Sequence, residues 1–315
     1  MHSVFVFGTT PPPVGGVTKS VENTLKALST QKISTTLFSP IKLLTRRKHD
    51  IVHIHYLKRW KILTAILLGK FLAKKNILTY HGSDFYPDTQ LLDHCIYKLL
   101  DGIVVLNKLV LSRCTKLNTT KAILLTPIFQ EGLVHTNTKT TSYFKKEKGV
   151  TYILLYASRK AFFNGTEVYG CHFVFTLLKD LPSNHMLVFL DPNKSYAEDM
   201  KHIDTKKIIY IDRPVDFTSL LLAVDIYIRP TSRDGNSIAT LEALSANIPV
   251  LASDVVDRDT GVHVYAYNDS KDFTTKLLDI LSASKESHKQ RLSSITSFEN
   301  FCDQLLRGEA PCAVL

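Results

Sequence analysis

The stretch Arg229-Pro230-Thr231-Ser232-Arg233-Asp234-Gly235-Asn236-Ser237-Ile238-Ala239-Thr240-Leu241-Glu242-Ala243-Leu244-Ser245-Ala246-Asn247-Ile248-Pro249-Val250-Leu251-Ala252-Ser253-Asp254 decides how the rest of the chain is read. An apolar run, Asp225–Ile228, feeds it. A glycine-containing loop follows, a helix starts at about Ser237, and a new apolar run opens behind Pro249. Serine favours the N-cap and proline cannot continue a helix, so strand, loop, helix and strand follow in quick succession. Seven residues separate Asp234, in the loop, from Glu242, about one and a half turns inside the helix. Amides of Asn236, Ser237 and Ile238 at a helix N-terminus would point at an anion. The two carboxylates would accept hydrogen bonds from vicinal hydroxyls of a sugar or ribose. As a bare pair they read equally well as a helix cap and a surface charge; the whole string favours a ligand site.

The same alternation runs through the whole chain. Apolar runs recur at Val4–Phe7, Thr35–Phe38, Ile51–His55, Ile77–Tyr80, Gly102–Leu106 and Ala122–Leu125. They resume at Thr151–Tyr156, Met186–Leu190, Lys207–Ile211, Asp225–Ile228, Val250–Ala252 and Val262–Tyr265. Most are continuous rather than alternating in polarity, as strands buried on both faces are. Strand–helix alternation twice over predicts two doubly wound α/β domains, residues 1–140 and 150–315, with a polar linker at about Glu131 to Val150. A last helix at about 297–307 is expected to pack back on the first domain.

Composition bounds the function. With 315 residues, 44% hydrophobic and 22% charged, the chain can bury two cores and is not a disordered one. The five cysteines are widely spaced without a C-x-x-C pair, which points to neither a disulfide framework nor a zinc site and fits a reducing compartment. No basic-then-apolar leader precedes Val4, and the apolar run Ile62–Leu68 is too short to span a bilayer. The C-terminal Cys312-Ala313-Val314-Leu315 fits a prenylation box formally, but no polybasic stretch precedes it, and chance explains it better.

The net charge of +10 is unevenly spread. Lys42 to Lys75 holds ten basic residues against one acid, Asp50. From Lys58 to Lys75 the cations flank Ile62, Leu63, Ile66, Leu67 and Phe71, the pattern of a basic amphipathic helix at an anionic membrane surface. A helix packed on a sheet with a solvated basic rim is the plainer reading. Nucleic acid is not expected, because no aromatic-interleaved basic platform accompanies the charge.

Ligands in open α/β sheets bind beyond the carboxyl ends of the strands. Gly15 and Gly16 follow the first strand and would let the backbone approach a phosphate, or merely make a turn. They form neither a G-x-G-x-x-G fingerprint nor a P-loop. His81 ends a strand beside Gly82, as ligand contact or structural histidine. His53 and His55 lie on the same side of their own strand by period two, and with His81 they suggest a metal site, but no carboxylate pattern completes one. Arg159 and Lys160 follow the first strand of the second domain, placed to neutralise a leaving diphosphate or to be surface charge.

The Arg229–Asp254 string resembles the donor-binding signature of retaining glycosyltransferases of GT-B family 4 (glycosyl transferases group 1). Pro12-Pro13-Val14-Gly15-Gly16 is similar to the family's N-terminal glycine loop, Asp50-Ile51-Val52-His53-Ile54-His55 to its D-V-V-H-x-H strand, and Thr79-Tyr80-His81-Gly82-Ser83-Asp84 to its H-G-x-D segment. The resemblance implies a GT-B fold of two facing Rossmann-like domains. It places Gly15 and Gly16 near the donor diphosphate, His81 near the transferred sugar, Arg159 at the leaving diphosphate, Asp234 on sugar hydroxyls and Glu242 on the ribose. It implies no metal and no resident cofactor, a UDP-sugar as first choice of donor, and a bacterial-type hexosyltransferase. The acceptor would be a lipid-linked or surface-polysaccharide glycan, with peripheral attachment to the inner face of the cell membrane. The chain departs from the pattern where Asp234 replaces a glutamate, where Asn236-Ser237 replaces Phe-Gly, and where Phe163-Asn164-Gly165 stands in place of a lysine-glycine, leaving Lys160 as the nearest substitute. These departures keep two alternatives open: a catalytically degenerate scaffold subunit of polysaccharide assembly, and a nucleotide-sugar epimerase.

Overall fold

A computed structural model describes residues 3–11, 16–30, 33–39, 49–82, 84–117, 121–125, 143–235, 237–283 and 295–309. It divides into two compact units, Met1–Gln130 with Leu292–Leu315, and Glu131–Arg291. The elements in chain order begin with β1 (Ser3–Phe7), α1 (Gly16–Thr30), β2 (Ser34–Leu37), β3 (His49–Ile54), α2 (Arg59–Leu72), β4 (Ala73–Tyr80), α3 (Leu91–Leu99), β5 (Gly102–Val105), α4 (Lys108–Thr115) and β6 (Ala122–Leu125). They continue with β7 (Thr151–Tyr156), β8 (Phe162–Phe163), β9 (Thr166–Glu167), α5 (Cys171–Leu177), β10 (His185–Leu190), α6 (Ala197–Met200), β11 (Ile208–Ile211), α7 (Phe217–Leu221) and β12 (Ile226–Arg229). The last are α8 (Ile238–Ser245), β13 (Val250–Ser253), β14 (Val262–Tyr265), α9 (Ser270–Ser282) and α10 (Ile295–Arg307).

The first unit holds a parallel six-stranded sheet in the order β2-β1-β3-β4-β5-β6. Inside the sheet, β1, β5 and the second half of β4 are buried on both faces and read as unbroken apolar runs, whereas the edge strand β2 is polar and largely unburied. Phe5, Val52, Leu78 and Ile103 pack under α2, α3 and α4 through Ile62, Ile66, Ile96 and Val110. Val4, Val6, Ile51, Ile77 and Val104 face the other way, against Val21 of α1 and Phe298, Phe301 and Leu305 of α10. The chain thus returns from the second unit to close the first unit's second face. The fit is tight enough that a Cβ on Gly102 would stand 2.9 Å from the Phe301 ring.

The second unit holds a parallel sheet in the order β11-β10-β7-β12-β13-β14. Ile153 and Leu155 face α5 and α9 through Cys171, Val174, Phe273 and Leu277. Tyr152 and Leu154 face α7 and α8 through Leu220, Leu221, Ala239 and Ala243. Residues 143–150, expected as linker, belong to this unit: Tyr143, Phe144 and Val150 pack on its core, and the Asp216 amide donates to Tyr143 Oη at 2.9 Å. Polarity misled there, since the aromatic pair had partners far away in sequence. The rest of the expected linker lies outside the described residues.

Two further differences matter below. β8 and β9 form an antiparallel hairpin whose turn, Asn164-Gly165, has φ of 49° and 77°. Two left-handed residues make the tight turn that Asn-Gly favours. The helix read from Lys58 to Lys75 ends at Leu72 and runs directly into β4.

Candidate functional site

In doubly wound sheets the strand order reverses at one place, and ligands bind beyond the carboxyl ends of the strands there. In the second unit that place is between β7 and β12, which pair side by side. The loop after β7 carries Ser158-Arg159-Lys160; the loop after β12 carries Pro230 to Ser237 and leads into α8.

Ser237 caps α8 by accepting from the Thr240 amide at 3.3 Å. The Ile238 amide lies in the helix's unpaired first turn, where backbone donors and the helix dipole favour an anion. Glu242 sits half-buried one turn further in. Asp234 is held on several sides by its own chain. Arg229 clasps it through Nε to Oδ2 at 2.6 Å and Nη2 to Oδ1 at 2.9 Å, Arg258 Nη1 adds a bond to Oδ2 at 2.6 Å, and the Gly235 amide donates to Oδ1 at 3.0 Å. A carboxylate offers about four acceptor sites, and these bonds fill them. Burial by itself would raise the Asp234 pKa; Arg229 and Arg258 outweigh it and hold the carboxyl well below its usual range. Through these bonds Asp234 braces the loop between β12 and α8. Arg258, whose Nε also donates to the Ser253 carbonyl, went unrecognised in the sequence because nothing local marks a partner in a later loop.

The hairpin fastens onto this loop. Arg233 lies over the Phe163 ring at 3.6 Å, Ser232 N donates to Val168 O at 2.9 Å, and a Cβ on Gly170 would collide with the Pro230 carbonyl at 2.0 Å. Gly170 also has φ of 65°, so only glycine fits easily. Lys160 Nζ reaches both Asp199 oxygens, at 2.7 and 2.8 Å, and His172 bridges Asp199 and Glu167. The Lys160 charge is thus engaged by Asp199. Arg159 is exposed and makes no ion pair among the described residues.

In the first unit the reversal lies between β1 and β3. Gly8 follows β1 and leaves room for Val21 of α1, whose Cγ2 a Cβ at Gly8 would meet at 2.6 Å, with His55 also in contact. His53, His55 and His81 gather at this end. His53 Nε2 lies 2.7 Å from Thr79 Oγ1, and His55 Nδ1 lies 3.1 Å from His81 Nε2. Burial pushes the His53 pKa down to about 3 and His81 to about 4, and lowers His55 well below its ordinary value, so all three are neutral near pH 7. One proton serves the His55–His81 contact. Since His81 uses Nε2 inward, Nδ1 is the atom it offers outward.

Gly16 begins α1 with nothing within 4 Å of where a Cβ would stand, so its surroundings are open. Gly15 and Asn236 lie outside the described residues, as do Lys42 and the other basic residues up to His49. Among the described residues no group of three or more His, Cys, Asp or Glu could hold a metal ion, and no helix is long and apolar enough to cross a membrane.

Residues 15–120 match the family model described as Glycosyl transferase 4-like. No curated protein matches in sequence. Among solved structures, HepE of Anabaena in complex with UDP and glucose is similar with a TM-score of 0.68 and 11% identity, over 97% of this chain and 99% of that one. Sucrose-phosphate synthase of Thermosynechococcus elongatus has a TM-score of 0.74 and 12% identity, over 98% of this chain and all of the other (100%). The lipopolysaccharide outer core galactosyltransferase WaaB in its apo form has a TM-score of 0.56 and 13% identity, over 98% of this chain and 96% of that one. At such identities the likeness establishes the fold, which is GT-B: two Rossmann-like domains with parallel six-stranded sheets.

Proposed function

Taking a GT-B fold with a glycosyl transferase 4-like N-terminal domain as the premise, we propose that this chain is a metal-independent glycosyltransferase. It moves a hexose-type sugar from a nucleoside-diphosphate sugar, UDP-linked by first choice, to a lipid-linked or cell-surface polysaccharide acceptor, with retention, at the inner face of the cell membrane. The observation that carries the donor half is the switch point of the second unit: a capped helix N-terminus, the carboxylate of Glu242 on the same helix, and the exposed cation Arg159 on the neighbouring strand's loop. Phosphate suits the first, a ribose diol the second, and a leaving diphosphate the third. HepE was solved with UDP bound, which supports the choice of base. WaaB, named for the lipopolysaccharide outer core, supports the class of acceptor.

The test is calorimetric binding of UDP-, GDP-, ADP- and dTDP-sugars to the wild type and to Glu242→Ala. One donor should bind, and the variant should bind it about 10- to 150-fold more weakly, the worth of a hydrogen bond to a charged group. Failure of every donor to bind would refute the reading. A second reading, a degenerate scaffold of polysaccharide assembly, draws on two observations: the family lysine's place is taken by the hairpin turn Asn164-Gly165, and Lys160 is tied to Asp199. Donor binding without any nucleotide release on adding acceptor extracts would favour it.

A further inference from the structure

Helix α2 is apolar on two opposite sides. Ile62, Ala65, Ile66 and Gly69 are buried against the sheet. Half a turn away stand Trp60, Leu67 and Phe71, spaced by seven and four residues and therefore on one face. They are exposed to 62%, 54% and 82%. Of the apolar residues read as one amphipathic set, Ile62 and Ile66 go to the core, while Leu67 and Phe71 stay outside with Trp60. Lys61 and Lys70 flank the exposed stripe on either side, about a quarter turn away, and both are exposed.

The stripe does not stand alone. α3 and α4 cover the same sheet face as α2, and Arg59 of α2 ties to Asp93 of α3 at 3.0 Å. α3 opens with Leu91, exposed to 80%. Across α2, α3 and α4 the sequence contains a single acid, Asp93, and it is buried in that pair with Arg59. Three neighbouring helices thus turn outward large apolar side chains and lysines, and no carboxylate of their own. Isolated exposed leucines are ordinary. A tryptophan and a phenylalanine on one stripe, rimmed by cations, mark an interaction surface. A protein partner's apolar patch would not need the lysines, and an acidic peptide would not need the aromatics. A bilayer with anionic headgroups uses both, apolar side chains entering between acyl chains and lysines staying at the phosphates.

We infer that the outer face of α2, α3 and α4 is the surface on which this protein sits on an anionic lipid bilayer, with Trp60, Leu67 and Phe71 inserted and Lys61 and Lys70 at the headgroups. This deepens the proposed function by naming where the membrane is met, and it rests on that reading for its purpose but not for its test.

Trp60 is the chain's single tryptophan, so its fluorescence reports on the stripe directly. The full-length protein is mixed with vesicles of phosphatidylcholine alone, and with vesicles in which about one-third is phosphatidylglycerol, a composition giving a negative surface potential. On the anionic vesicles the protein should co-sediment, the Trp60 emission should shift to the blue, and bromine-labelled acyl chains should quench it. Phe71→Ser should weaken binding on the order of tenfold. Lys61→Gln and Lys70→Gln should weaken it about fivefold each and reduce its sensitivity to salt. All three positions are exposed, so unchanged thermal unfolding verifies that the variants are folded. Equal binding to neutral and anionic vesicles, no binding to either, or a concentration-dependent dimer that Phe71→Ser dissolves would overturn the inference. Nucleotide-sugar calorimetry on the same samples separates the two claims: vesicle binding without donor binding leaves this surface standing and sinks the proposed function, and the reverse outcome sinks only the surface.

Discussion

Replacing Asp234 by asparagine tests whether this acid serves the loop or the ligand. Asp234 is the one carboxylate between the nearly buried guanidiniums of Arg229 and Arg258, with side chains 12% and 3% exposed. Asparagine keeps the shape, removes the charge and leaves two buried cations facing each other. Breaking a buried ion pair by removing one partner costs about 3–5 kcal/mol. In a unit of this size each kcal/mol lowers Tm by about 2–4 °C, so the expected loss is about 6–20 °C in the second unit's transition, read by calorimetry. Arg258→Gln leaves the two-point Arg229 contact intact and should cost less. The pH dependence has a definite sign. Because the folded pKa is depressed, this contribution is fully present above the unfolded carboxyl's value of about 3.9 and is lost as pH falls through the folded one. The wild-type advantage over Asp234→Asn should hold from neutral pH down to about 4 and shrink below that. A variant that melts within about 2 °C of the wild type yet loses donor binding would refute the strut reading and return Asp234 to the ligand.

Three further outcomes are expected. His55→Leu should lower turnover of the proposed transferase, while His55→Asn, whose amide can stand where Nδ1 does, should retain most of it; equal loss in both would show that only packing is at stake. Gly170→Ala should destabilise the second unit by more than the roughly 1 kcal/mol typical of a point change, because it adds both a left-handed side chain and a clash with the Pro230 carbonyl; an unchanged denaturation midpoint would contradict this. Acid should weaken the first unit: His53 and His81 stay neutral when folded while the unfolded chain takes up protons below about 6.5, so stability should fall from there to about pH 4 for His81 and about 3 for His53. Urea midpoints followed by Trp60 fluorescence check it, and a flat profile over that range would count against the buried, neutral histidines.

The parallel strands were legible in sequence because burial on both faces leaves an unbroken apolar run, as in β1 and β5. Helix α8 was legible because capping is local: Ser237 and Thr240 settle it between themselves. The hairpin was not, although Asn164-Gly165 is a strong turn signal. Its strands are two residues long with outward phenylalanines, and the segment drew attention for the lysine it lacks.

Short-range physics is readable from the order of residues: which runs become strands, where helices start, that two α/β domains follow one another, and that charge is concentrated before residue 76. Tertiary structure alone decided which groups meet. It put Arg258 on Asp234, Asp199 on Lys160, and Ile62 rather than Trp60 against the core. The physical reason is that a side chain's task follows from its partners. Propensity and periodicity fix the element a residue belongs to, but they cannot say which of a helix's two apolar faces the sheet will cover, or whether a carboxylate's lone pairs are already taken.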